Sequence, residues 1–137
     1  MAKQLLNWLE EIEEMQVYKM MVLRVVNACE ESATVIGAYV DILITEFQRG
    51  NPTASDIEAL RVLNQTHGRI LIAVVHLRVE LEKIYETTSK WMGLGQNERD
   101  QRKVQMKGAM DKALEIAEDA RRLHEDGEHL ERVVKEW

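Results

Sequence analysis

A single cysteine, Cys29, excludes an intramolecular disulfide, so packing alone must hold this chain together. Its cysteine usage suggests no oxidising compartment, and a cytoplasmic location is the expectation. Proline occurs once, at Pro52, and aromatic residues make up only 5% of the chain, a composition that suits long helices rather than sheets. A bilayer-spanning run of about 20 apolar residues is missing as well. The most apolar stretch, Met20 to Ile44, is interrupted by Arg24, Glu30, Glu31 and Asp41, so no membrane partner is expected. From Met1-Ala2-Lys3 the chain soon reaches Glu10, Glu11, Glu13 and Glu14, unlike a signal peptide, and no export is implied. Positive charge is in deficit: 18 Lys and Arg against 24 Asp and Glu give a formal net charge of −6. A polyanion ligand needs a clustered basic surface, so nucleic acid is disfavoured as a partner. The one local exception, Arg99, Arg102, Lys103 and Lys107 beside Glu98 and Asp100, reads as solvated surface. Neither a glycine-rich phosphate loop nor a glycine-flanked elbow around Ser32, Ser55 or Ser89 occurs, and no cofactor is implied.

What remains is helical periodicity. Strong punctuation falls only at Gly50-Asn51-Pro52 and Gly93-Leu94-Gly95, which divides residues 1–137 into three helices of one bundle domain, at about 2–49, 54–92 and 98–136. Ser55 with Glu58, and Asn97 with Asp100, have the spacing of N-terminal caps. In the first helix Trp8, Met15, Val22, Cys29, Ile36 and Leu43 recur every seven residues, with Leu5, Ile12, Val26, Ala33, Val40 and Phe47 in an adjacent row. In the second, Leu60, His67, Val74, Leu81 and Thr88 occupy one row and Leu63, Ile70, Leu77, Ile84 and Trp91 the other. In the third, Met106, Ala113, Ala120, Gly127 and Val134 alternate with Ala109, Ile116, Leu123, Leu130 and Trp137. Such rows are coiled-coil seams. With short linkers, they predict an all-α, elongated, antiparallel up-down-up bundle, in which Trp8 and Trp91 share one end while Trp137 lies near Phe47 at the other. The alternative is a four-helix bundle, if the first helix breaks near Glu31-Ser32.

Chemistry-bearing residues are few. His124 with Glu128, and Glu125 with His129, are each four apart on the third helix, a spacing that suits metal ligands but equally an exposed, salt-linked face. The paired Glu-x-x-His motifs of di-iron bundles are absent. Arg69 with His76, and Arg122 with His129, show a second pattern, arginine followed by histidine at the seventh position. This resembles the catalytic spacing of the HEPN ribonuclease superfamily, also compact helical bundles, and the resemblance implies RNA cleavage at those histidines. It covers two residues at a time. The residues after the arginines are Ile70 and Leu123 rather than polar ones, and seven is also the heptad period, which repeats any outward position by construction. His67 faces the seam and should lie level with Val35, as a hydrogen-bonded core histidine. Cys29, among Val22, Val25 and Ile36, reads as a small apolar core residue.

The stronger functional signal is apolar excess. Between Met20 and Ile44, 17 of 25 residues are apolar, more than one core-facing stripe requires. Met21, Ala28, Val35 and Ile42 form a further row, with Leu23 and Ile44 beyond it, while Asn27, Thr34 and Asp41 should stay wet. The expectation is a non-enzymatic scaffold, adaptor or regulatory binding protein, pairing with itself as a dimer or higher oligomer and with another protein. The rival expectation is a helical-bundle enzyme, either HEPN-like or metal-binding.

Overall fold

The computed structural model describes residues 2–137, except the side chains of residues 85 and 87–89. The side chains of Thr88 at the seam and Ser89 among the serines thus lie outside the described residues. Three α-helices carry the chain: α1 (Ala2–Arg49), α2 (Ala54–Glu86) and α3 (Gln96–Lys135), with a 3-10 turn at Thr87–Gly93 and no strand among the described residues. No helix is long and apolar enough to cross a membrane.

α1 runs unbroken through Glu31 and Ser32, which sets the four-helix alternative aside. Continuity keeps both of its apolar rows on one side. Met15, Val22, Cys29, Ile36 and Leu43 are buried, and so are Val26, Ala33, Val40 and Phe47. A break at Glu31 would have turned the second half of each row out of line with the first. α2 ends earlier than its periodicity suggests: α-helical geometry stops at Glu86, and the chain tightens into the 3-10 turn, with non-helical torsions at Lys90 (φ −109°, ψ 15°). Thr87-Thr88-Ser89 is a run of weak α-formers. Trp91, within that turn, is nevertheless fully buried.

The caps also differ from those expected. At α2, Thr53 and Asp56 form the reciprocal box, each backbone N–H donating to the other's side-chain oxygen at 3.1 Å. Thr53 directly follows Pro52 and satisfies the first free N–H groups before the chain reaches Ser55, which lies inside the helix. Glu58 instead accepts from Arg61. α3 begins after Gly95, with extended torsions and no side-chain cap, so Asn97 is helical and Asp100 accepts from Gln96 Nε2 at 3.0 Å.

Contacts between helices order them. Residue numbers rise on α1 as they fall on α2: Trp91 Nε1 donates to Glu11 (2.9 Å), Arg78 Nη2 to Asn27 (2.6 Å), and the His67 ring reaches the Ala33 carbonyl (2.9 Å). Lys112 joins α3 to Glu80 of α2 at 2.9 Å. α1 and α3 number in step, for Glu11 meets Lys103 (3.1 Å) and Phe47 packs against Trp137 with ring centroids 5.1 Å apart. Leu63, Ile70, Val74, Leu77, Leu81 and Ile84 of α2, with Met106, Ala109, Ala113, Ile116, Ala120, Leu123 and Leu130 of α3, complete one core.

Arg99 departs from the solvated basic patch expected around it. It is only 5% exposed and stacks over the Trp8 ring at 5.1 Å. One terminal guanidinium nitrogen donates to the carbonyls of Trp91 and Leu94 and the second to Gln96 at 3.1 Å, while the buried Nε has no partner among the described residues. Arg99 stands one heptad before Met106, and thus on the core row, where it supplies the Leu94 carbonyl with a donor and adds a second one to the Trp91 carbonyl, which already accepts from the Leu94 N–H at 3.2 Å. Lys103 is half-buried through its pair with Glu11. Trp8, Glu11, Trp91, Arg99 and Lys103 together tie α1, α3 and the 3-10 turn that follows α2 at one end.

Candidate functional site

The α1 row singled out by sequence is outside the core. Met21 is 47% exposed, Val35 64% and Ile42 58%, and Ala28 is exposed as well. The reason is angular: in a helix whose first and fifth heptad positions are buried, the seventh points outward on one flank. That flank borders α3, because Ala28 and Val35 each line a surface hollow with α3 residues, including His124. Leu23 and Ile44 do not join this row. They share a heptad row with Glu30, which pairs with Arg78 at 2.6 Å, and with Gly37, which lies under His67, so they belong to the α2 side. Leu23 is half-buried against the core, and Ile44 is at its exposed edge. Asn27, Thr34 and Asp41 are exposed, although Asn27 accepts from Arg78.

A second exposed stripe was missed by sequence reading. Ile72, Val75 and Val79 of α2 are 50–59% exposed and follow one another at helical spacings of three and four. The signal was present as apolar residues between the seam rows, but α1's apolar excess masked it.

The histidine cluster separates into unrelated pairs. His124 Nε2 lies 3.0 Å from Glu128, Glu125 is paired with Arg121, and His129 stands exposed. No group of three or more metal-ligating side chains converges among the described residues. Arg69 donates to Thr66 at 3.1 Å and Arg122 approaches Glu118 at 3.6 Å, so neither arginine is paired with the histidine that follows it. Comparison with family models, with curated proteins and with solved structures gave no match. Function must therefore be argued from this chain's own surface.

Two interior polar features are structural in geometry. His67 Nε2 must carry the proton it shares with the Ala33 carbonyl, which can only accept, and the ring fills the space a side chain at Gly37 would take. Burial pushes the Cys29 thiol up from its ordinary value, which keeps it protonated and unreactive. Between α1 and α3 a cavity of ≈ 110 Å³ opens where buried Gly127 interrupts the row of core side chains. Buried Ile36 and Leu63 line it, together with Tyr39 and Glu131.

Proposed function

We propose that the chain is a non-enzymatic helical scaffold, adaptor or regulatory binding protein, acting in the cytoplasm through self-association and contacts with another protein. Its framework is a single elongated up-down-up bundle with heptad packing. The helix pairings and the burial of the seven-residue rows support this architecture. One observation carries the functional reading: Met21, Ala28, Val35 and Ile42 are an uncovered apolar row on a helix whose core rows are already filled. Water contact along such a row is unfavourable by about 25 cal/mol per Å² of apolar surface, and a closed dimer removes it symmetrically. The α2 stripe of Ile72, Val75 and Val79 supplies a separate face for a different protein.

Light scattering of the purified chain tests the reading, with Val35→Glu plus Ile42→Glu as the comparison. A dimer or larger species for the natural sequence and a monomer for the double variant are expected. A natural chain that is monomeric at micromolar concentration refutes self-association.

A further inference from the structure

We infer that the partner on this face is a second copy in one defined register: two α1 helices antiparallel about a twofold axis that passes between Ala28 and Val35. The inference rests on the self-association reading and adds its geometry. Taken every seventh residue, the outward row runs Glu14, Met21, Ala28, Val35, Ile42, Arg49, an acid and a base bracketing four apolar residues. All six are exposed, and neither Glu14 nor Arg49 has an ion-pair partner among the described residues. Because α1's buried rows face the core from Met15 to Phe47, this parallel row also holds a constant angle to the core over that stretch.

Antiparallel pairing about that axis sets Ala28 against the partner's Val35, Met21 against the partner's Ile42, and Glu14 against the partner's Arg49. Small meets large at the centre, and opposite charges close both ends. Sliding by one heptad in either direction leaves Ile42 facing the partner's Glu14, or Met21 facing the partner's Arg49. Parallel pairing is worse, since it sets Glu14 on Glu14 and Arg49 on Arg49, and like charges in such positions repel. The row is therefore complementary to its own reverse. A foreign helix would need the same pattern by coincidence.

Charge reversal reads the register directly. Glu14→Arg and Arg49→Glu are each exposed changes, with circular dichroism to check that the fold is kept. Each should weaken the homodimer about tenfold in sedimentation equilibrium, because two attractions become two repulsions. Mixing the two variants in equal amounts should restore natural affinity, since every facing pair is again opposite in charge. The double variant Glu14→Arg/Arg49→Glu should likewise dimerise as the natural chain does. A dimer that Val35→Glu plus Ile42→Glu abolishes but neither reversal weakens overturns this register while leaving the self-association reading standing. A natural chain that never dimerises overturns both.

Discussion

Replacing Gly127 by alanine should stabilise the protein, and the size of the gain follows from two local facts. Gly127 is buried within α3, and a Cβ added there would meet no heavy atom within 4 Å because it enters the ≈ 110 Å³ cavity. Alanine is favoured over glycine inside a helix by about 0.8–1 kcal/mol. Moving one methyl group from water into the half-closed space adds at most about 0.8 kcal/mol. Together these give about 1–2 kcal/mol, or a rise in Tm of roughly 3–7 °C for a chain of this length. Gly37→Ala is the control. Its Cβ would lie 2.8 Å from His67 Nε2, the atom bonded to the Ala33 carbonyl at 2.9 Å. The ring must move and give up a bond of about 1 kcal/mol, which cancels the helix gain. Its Tm should stay level or fall. Calorimetry at one fixed protein concentration separates the two, since self-association also shifts Tm. Equal shifts for both variants, or a loss at Gly127→Ala, would refute this account of the cavity.

Three further outcomes are expected. Leu77→Ala should cost about 2–5 kcal/mol in denaturant unfolding, whereas exposed His76→Ala should cost far less, and equal losses would contradict the packing register. Arg99→Ala should cost about 1–3 kcal/mol and shift the tryptophan fluorescence, because the Leu94 carbonyl loses its side-chain donor, Gln96 its partner and Trp8 its cationic neighbour. The Tyr39 hydroxyl, which shares a surface hollow with Glu131, holds that carboxyl below its ordinary 4.5 with help from Lys135, and the carboxylate in turn raises the tyrosine above 10. A lowered carboxylate contributes stability that is present above pH 4.5 and lost as pH falls through the folded value; a raised tyrosine contributes stability that is lost only as pH rises beyond 10. Tyr39→Phe should therefore flatten stability at both extremes in pH-dependent unfolding, and an unchanged profile would refute the coupling of Tyr39 to Glu131.

Helix type and the main breaks were legible in the sequence because they depend on local rules. Seven-residue repeats need no knowledge of neighbours, and Gly50-Asn51-Pro52 interrupts a helix wherever it stands. The rows with Val22 and Val26, Leu63 and Leu77, and Met106 and Leu123 are accordingly the buried ones. Cap choice was less legible, because Thr53 with Asp56 and Ser55 with Glu58 are overlapping signals and only the position of the helix start decides between them.

Tertiary structure decided what depends on a neighbouring helix. Arg99 looks like any surface arginine in a charged run, yet the Leu94 carbonyl, which its guanidinium supplies with a donor, and the face of Trp8 make its burial favourable. Leu23 and Val35 are both apolar residues outside α1's main rows, but one leans on the core beside α2 and the other stands in solvent. His124 to His129 had metal-ligand spacing along the helix, whereas coordination requires at least a third ligand converging in space; Glu125 turns to Arg121, which leaves His124 with Glu128 alone. Periodicity sets which face of a helix is apolar; only the placement of the other two helices determines how much of that face remains for a partner.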